Sequence, residues 1–598
     1  MENTPHLHIV SQPSGIRVHG VGSYSYWRNP SGKEYFLKGE IYAIPDGLGP
    51  VLPADQNTKG LAKRLLDYIE RNGSPENIDG QFCGVLIDDA CVTAYRSAFS
   101  LYLLYFNDSG VSDKLSTLSV NGSKYSFEYL QRFILDYPSL HFSYPLTPLE
   151  GVYRLPPASL LRFEPGKKPI QTLLSSKVYE FNDQKEDNRE EIVVKVRETL
   201  KEILLWHLGK QKPIHSELSG GLDSSFVSSF LSILTGRRFP AHMFSFRKHP
   251  SHELSESCAR KVAIEKNIDL TIIDAAEIHV PDLSTTDLPY QDEPIETYWL
   301  GAILGPVMRN QIERNSFLFS GYACDQLYMR GTDILLVLLK RGKLIDLFYT
   351  LRDISKAAKR PTLNYFFQFL ISLLPRKVMA LLIDCTRNLR INPFNIEELA
   401  PQIRHLARVG WLKRISGKNQ VAWLYELEKE GKSLDGRFFS KAVPHSHLSY
   451  LFATRFVFDP YLSEAGIEYV HPFCDKRMMD FVYHHISWKS IHDFKNPYKQ
   501  LLREAQRGIV PEDVRLRPFN DFSFDGYYYS FLRTNRDFLY TLLTEAAKEF
   551  PGWIDVKEAL LSFEKMMMGC YGNSENTLSR LLAYLVWRKT FETHLKTA

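Results

Sequence analysis

Residues 217–225 read ELSGGLDSS and run straight into the apolar stretch FVSSFLSIL. Two adjacent glycines, Gly220 and Gly221, let a backbone approach a ligand closely and take angles that a Cβ forbids. Ser219, Ser224 and Ser225 add hydroxyl donors around them. A helix opening behind such a turn presents N–H groups without internal partners and the positive end of its dipole, so an anion is favoured there. These are the parts of a phosphate cradle. Asp223 is out of place beside a phosphate, because like charges repel; its presence asks for a bridging cation, most simply Mg²⁺. The GxxxxGK(S/T) spacing of a Walker A loop is absent here. A plain capped turn accounts for most Gly–Gly pairs. The string SGGxDS, though, is expected by chance in only about one chain of this length in a thousand, which favours a nucleotide-phosphate role.

The surrounding elements suit that role. KPIHSEL reads as a short strand entering the turn and SSFVSSFLSIL as the helix leaving it. AHMFSF (241–246) and DLTIIDA (269–275) are further strands, and ELSESCARKVAIEKN (253–267) puts Leu254, Cys258 and Val262 on one helical stripe. Strand–helix alternation predicts a parallel sheet with helices on both faces. Its strand-to-helix turns lie at the carboxyl edge, where ligands bind. The first 180 residues have a different texture: EYFLKGEIYAI (34–44), GQFCGVLIDDACVTAYR (80–96) and GVYRLPPASLLRFEP (151–165) are short β-like runs between turn residues. SSKVYEFNDQKEDNREE (175–191) suits a linker, and EEIVVKVRETLKEILLWHL an amphipathic helix. After about residue 330 the pattern is mostly helical, without a repeat period.

A chain of 598 residues exceeds one typical core and predicts two domains. The net charge of +4, from 73 basic and 69 acidic side chains, is too small and too evenly spread to argue for nucleic acid. Seven scattered cysteines (83, 91, 258, 324, 385, 474 and 570) suit neither a disulfide framework nor zinc. MENTPHLHIVSQPSG lacks a basic start and apolar core, so no secretion signal is expected, and a cytoplasmic location is. The most apolar run, LNYFFQFLISLL (363–374), falls short of the roughly 20 residues of a membrane span and reads as a buried helix. His215 reads as a satisfied strand histidine.

SGGLDSS resembles the pyrophosphatase loop of the asparagine-synthetase-like ATP-pyrophosphatases, which activate a carboxylate as its adenylate. Other segments follow in that family's order. Phe244, Ser245 and Phe246 end the second strand, where the family holds adenine. QDEP (291–294) resembles its DEP segment, SGYACDQLY (320–328) its SGxGGDExF, HPFCD (471–475) its PFLD and NPYKQLLREA (496–505) its KxLLREA helix. The resemblance spans about residues 190–530. It implies that Ser219, Gly220, Gly221, Asp223 and Ser224 hold the pyrophosphate of ATP with Mg²⁺. It further implies that Leu218, Phe246, Ser320 and Gly321 contact AMP, and that Asp223 and Asp325 bind the metal.

The N-terminal part is similar in outline to the family's glutaminase domain, through DGQFCGVLID (79–88) and TPLEGVYRLPPAS (147–159). The implied architecture is an α+β Ntn-type sandwich over 1–180, then an α/β parallel-sheet, adenine-nucleotide-hydrolase-like synthetase domain over 190–598. A helical insertion at about 330–450 and a helical C-terminus belong to the second domain. The family's glutaminase nucleophile is a cysteine exposed once Met is removed. This chain reads Met1-Glu2-Asn3 and its first cysteine is Cys83, so glutamine hydrolysis by that route is not expected.

Relatives without that cysteine close rings: β-lactam synthetase, carbapenam synthetase and the lasso-peptide macrolactam synthetases. Chain length, Glu217 before the loop and the aromatic helical part favour the lasso cyclases. Glu217 otherwise reads as a solvated strand residue, and the aromatics as core. The family's lysine of RpKxgF is replaced by Phe519 in RPFNDF (517–522); Lys499, Arg515 or Arg517 are candidates to supply the cation. Ala323 and Cys324 stand for glycines and Gln326 for a glutamate of GGDE. Tyr322 is either the base that deprotonates the incoming amine or a packing aromatic. The expectation is an ATP- and Mg²⁺-dependent lasso-peptide cyclase, with Tyr322 and Lys499 as catalytic candidates. It would act on a precursor peptide beside a leader peptidase and a leader-recognition protein, without nucleic acid or a membrane span. A β-lactam-synthetase-like or glutamine-independent asparagine-synthetase-like enzyme is the alternative, and a non-catalytic scaffold a third class.

Overall fold

The computed structural model describes residues 7–357 and 458–597 apart from gaps at 13–14, 22–23, 57, 73–74, 76, 89–90, 99, 120–122, 136–144, 165, 175–187, 246–249, 329–334, 336–337, 340, 492–497, 519–524 and 571–572. Within 358–457 it describes residues 369–370 and 411–413. Most of the expected linker, most of LNYFFQFLISLL and of the 330–450 insertion, and Phe519 lie outside the described residues.

In the N-terminal part, alternating apolar residues build two antiparallel sheets. A six-stranded sheet centres on Glu34–Ala43 and Asp79–Asp88, extended by Cys91–Arg96 and Ser159–Phe163. A five-stranded sheet includes Leu7–Gln12, Gly110–Ser112 and Tyr105–Asn107. Leu7, Ile9 and Val111 of the second meet Phe36, Cys83, Val85 and Leu161 of the first in one core. The other face of the six-stranded sheet is covered by the helix Lys59–Asn72 through Leu61 and Leu65.

The second part is built on a five-stranded sheet, parallel throughout: β1 (Ile214–Glu217), β2 (Pro240–Ser245), β3 (Asp269–Asp274), β4 (Phe317–Phe319) and β5 (Glu468–Val470). The spatial order is β3-β2-β1-β4-β5. The chain winds outward from β1 in one direction and then returns to its other side, so the switch point lies between β1 and β4. Helix α1 (Arg189–Leu208) enters the domain with Asn188 as its N-cap. Helices α2 (Leu222–Thr235) and α3 (Pro250–Glu265) follow β1 and β2. Helix α4 (Tyr298–Gln311) precedes β4 and the short helix α5 (Cys324–Tyr328) follows it; α6 (Lys476–His485) and α7 (Gln500–Ala505) come after β5.

Four C-terminal helices, Asp525–Thr534, Arg536–Glu549, Val556–Met567 and Asn573–Thr597, share a core with the helix Phe127–Leu135 through Phe133, Leu581 and Tyr584. The two parts are also joined by polar contacts. Arg154 is fully buried and its guanidinium donates to both carboxylate oxygens of Glu293, through Nε at 2.9 Å and through Nη2. Tyr105 and Tyr129 each donate to the same carboxylate at 3.0 Å. Beside it, Asp292 accepts from the Leu115 N–H at 2.5 Å and from the Tyr290 hydroxyl at 2.6 Å. Two acids of the QDEP segment therefore serve the seam between the sheet domain and the parallel-sheet domain. Asp475 of HPFCD does the same, capping α6 and accepting from the Tyr42 hydroxyl at 3.1 Å. No helix among the described residues is long and apolar enough to cross a membrane.

Candidate active site

The loop Leu218–Gly221 leaves the carboxyl end of β1, and Ser320–Ala323 leaves that of β4, so both glycine-bearing turns open onto the switch point. Gly220 has φ +71°, and a Cβ there would lie 1.9 Å from the Ser255 carbonyl oxygen of α3. Both its dihedral and its neighbour demand glycine. Gly321 is needed for space alone: a Cβ would lie 2.3 Å from the Ser224 nitrogen. The two loops are thus in backbone contact at the first turn of α2. Gly221 is the α2 N-cap and supplies no side-chain cap to it, which leaves the orientation of that turn suited to an anion. Ser219 and Ser224 hydroxyls lie 2.9 Å apart, and Ser224 accepts from the Ser219 N–H at 3.1 Å. Ser225 is fully buried in α2. Leu218 sends its side chain into the domain core and its N–H to the His242 carbonyl, so only its backbone faces the loop. Phe246 lies outside the described residues.

The charges of the site come from three distant segments. Lys499 Nζ lies 2.6 and 2.5 Å from the two Asp223 oxygens and 2.7 Å from Asp325 Oδ1. Tyr498, which the sequence did not single out, donates to Asp325 at 2.5 Å. Burial alone would lower the Lys499 ammonium; Asp223, with the Cys324 thiol and Asp325, outweighs it and holds it well above the ordinary lysine value. Burial pushes Asp325 up, but Lys499 and the Tyr498 hydrogen bond together outweigh it, so its carboxyl sits below its usual range. Asp223 is more enclosed and faces Asp325 as well, so its carboxyl is raised. Lys499 itself has φ +55°, a left-handed conformation at the start of α7, and Ala323 has φ +76°. Non-glycine residues in that region carry strain, which collects at functional sites.

Of the other candidate cations, Arg517 donates through Nη1 to the Gly220 carbonyl and through Nη2 to Ser255 at 3.3 Å, bracing the loop from behind. Arg515 is engaged by Glu512 and by the Arg503 carbonyl.

A second cluster lies on one face of the sheet at the same edge. Ser320 and His471 Nδ1 are 2.7 Å apart, and the Tyr322 N–H donates to Ser320 Oγ at 3.2 Å. The Tyr322 ring packs 5.5 Å from that of His471. Tyr469 donates to Glu217 Oε1 at 2.6 Å. Glu217 is therefore not the solvated strand residue that was one reading of it: burial pushes its carboxyl up to about 7 against the Tyr469 hydrogen bond. His215 is paired with His242 at 3.0 Å and accepts from the Glu313 N–H at 3.3 Å. Tyr322 belongs to this second cluster, whereas Asp223, Asp325 and Lys499 form the first.

The donor set of the first cluster suits a hard cation. Two carboxylates already hold a cation, the Lys499 ammonium, between them, and Mg²⁺ commonly takes one or two carboxylates with phosphate oxygens for the rest. No group of three or more acidic, histidine or cysteine side chains that could hold a metal by themselves occurs among the described residues.

A parallel sheet with a glycine-rich anion cradle and an acid–lysine–acid cluster at its switch point defines a nucleotide-dependent α/β enzyme. Comparison narrows the class: the asparagine synthase profile matches residues 195–329 and 392–588, more than half of the chain. The chain belongs to the asparagine synthase family, and it is an ATP-dependent, AMP-forming carbon–nitrogen ligase. No curated protein matches it. Among solved structures, it is similar to the U34-tRNA thiolase NcsA from Methanococcus maripaludis with its 4Fe–4S cluster, at 13% identity over 46% of this chain and 80% of that one, with a TM-score of 0.18. It is also similar to the glutamine phosphoribosylpyrophosphate amidotransferase from B. subtilis complexed with ADP and GMP, at 9% identity over 53% of this chain and 76% of that one, with a TM-score of 0.17.

Proposed function

We propose that this ligase is a lasso-peptide cyclase. It adenylates an Asp or Glu side chain of a precursor peptide, and the peptide's own N-terminal amine then forms an isopeptide macrolactam, with release of AMP and pyrophosphate. The observation that carries the choice of an amine over ammonia is the state of the sheet domain's thiols. Cys83 is fully buried between the two sheets, burial pushes its thiol up to about 11, and it is 3.3 Å from the Tyr24 hydroxyl; Cys91 is buried as well. Neither is an exposed thiolate of the kind that liberates ammonia from glutamine.

In this reading the α2 N-terminus with Ser219, Gly220, Gly221 and Ser224 holds the pyrophosphate. Ser320 and Gly321 border AMP, and Lys499 offsets charge as the adenylate forms. Asp223 and Asp325 would hold Mg²⁺, which when bound would neutralise phosphate charge. Enclosure raises the effective concentration of the amine and excludes water from the adenylate. A leader peptidase and a leader-recognition protein are the proposed partners, and the cytoplasm the proposed location. The segment at about 330–450, mostly beyond the described residues, is the proposed peptide holder.

The placement of Tyr322 beside His471 supports a second reading, a β-lactam-synthetase-like ligase of a small molecule. One experiment separates the two. Purified protein is given ATP and Mg²⁺ with a panel of leader-free peptides carrying an acidic residue downstream of an N-terminal glycine. Loss of one water from a peptide with stoichiometric AMP is expected. AMP formation with amino-acid carboxylates alone would overturn the peptide reading.

A further inference from the structure

We infer that Glu217 and Tyr469 are the proton-accepting pair of the amide-forming step, with Ser320 and His471 holding the tyrosine in place. The inference rests on the proposed amine-consuming ligase and goes beyond it in assigning residues to the second half-reaction.

Register places the pair. His215, Leu318 and Tyr469 are aligned across β1, β4 and β5, so alternate residues Glu217, Ser320 and His471 share their face of the sheet. Glu217 ends β1 just ahead of the phosphate loop, and Ser320 is the first residue after β4. Tyr469 reaches across the end of β4 to donate to Glu217 at 2.6 Å. Its ring lies 4.2 Å from that of His471, and its hydroxyl is also within hydrogen-bonding reach of Ser320. Ser320 in turn is fixed by His471 at 2.7 Å and by its N–H bond to the Val470 carbonyl at 3.0 Å. Three strands thus converge one carboxylate and one phenol at the crevice where the nucleotide loops meet.

The chemistry requires a proton acceptor, which this pair supplies. As the amine nitrogen attacks the acyl carbon, the N–C bond forms and the bond from that carbon to the AMP oxygen breaks. The amine proton passes to the Tyr469 oxygen while the tyrosine's own proton moves to Glu217 Oε1. AMP leaves as the phosphate anion, and Glu217 later returns its proton to water. The carboxylate is matched to this task near neutral pH, since burial has pushed it up to about 7.

The titratable neighbours on this face leave Glu217 to titrate alone. His215 and His242 are both lowered by burial and uncharged at neutral pH, and His471 and Tyr322 neighbour Tyr469, while only burial and the Tyr469 hydrogen bond act on Glu217. The elements packed over the face contribute Met308, Ile312, Leu462 and Ile467, which are apolar.

The test separates the half-reactions. Hydroxylamine, a weakly basic and strong nucleophile, traps the acyl adenylate as a hydroxamate without a protein base, whereas ring closure is followed by mass. Glu217→Gln and Tyr469→Phe are expected to keep hydroxamate formation at the wild-type level and to lose ring closure by about 10²-fold or more. The rise of wild-type ring closure through about pH 7 is expected to vanish in Glu217→Gln. Ring closure with the wild-type rate and pH profile in both variants would overturn the assignment, as would a parallel loss of hydroxamate. If the wild type forms hydroxamate on amino-acid carboxylates and on no peptide, the peptide reading alone falls. The same variants then decide the pair on that carboxylate and its amine.

Discussion

Lys499 binds Asp223 and Asp325 at once, with its ammonium no more than 2.7 Å from either carboxylate. The contact with Asp223 crosses 276 residues of chain. Two negative groups and one positive group leave the cluster short of positive charge, which the proposed Mg²⁺ would supply.

Replacing Lys499 by Met is expected to cut pyrophosphate release by about 10²- to 10³-fold. Lys499→Arg is expected not to restore it, because a planar guanidinium does not take the place of a compact ammonium between two carboxylates. A pyrophosphate-release assay at saturating ATP checks both. Wild-type rates in Lys499→Met would remove Lys499 from the mechanism.

The paired glycines are expected to respond differently. Gly220→Ala places a methyl group against the Ser255 carbonyl at an angle costly to L-residues, an overpacking and strain penalty of about 2–4 kcal/mol. Gly221→Ala keeps an ordinary φ of −71° and meets only Ser219 Oγ at 3.3 Å. Thermal denaturation should show a large loss for the first and a small one for the second.

Ala323 stands where the resemblance expects glycine, and its φ of +76° gives the reason for that preference. Ala323→Gly is expected to stabilise the protein by about 1 kcal/mol by relieving the left-handed strain. Denaturant titration measures it; a destabilised variant would show that the strain is not borne at this residue.

Asp292 supplies a pH dependence. Burial pushes its carboxyl up to about 7 despite hydrogen bonds from Tyr290 and Leu115. The folded state therefore holds a proton that the unfolded state releases near its ordinary value of about 3.9. Stability is full below that value and declines as pH rises toward 7. Asp292→Asn is expected to flatten this decline, raising the melting temperature at pH 8 relative to wild type and changing it little at pH 4. An unchanged pH slope would place the titration elsewhere.

Much of this was legible in the sequence because local periodicity and turn chemistry are local properties. The β1 and β2 strands, the glycine turn and helix α2 follow from apolar runs punctuated by glycines. Asp223, Asp325 and Lys499 were singled out through segment resemblance, and the structure brings the three together. Tyr469 and the ionisation of Glu217 did not, because both depend on which strands become neighbours: β5 joins the sheet only after a long excursion from β4. The QDEP segment illustrates the same limit. Its spacing marks a conspicuous acidic pair, but only the docked sheet domain shows that Glu293 answers Arg154.

That last pairing bears on how the chain can be divided. A fragment cut within 175–187 would carry Glu293 away from Arg154, Tyr105 and Tyr129, and Asp292 away from the Leu115 N–H, all of which lie on the other piece. Glu293 would then lose its ion pair with Arg154, at a cost of several kcal/mol, while Asp292 would keep only the Tyr290 hydroxyl of its two donors. The sheet domain is thus an obligatory counter-ion for its neighbour, and the two halves should be expressed, purified and engineered as one unit.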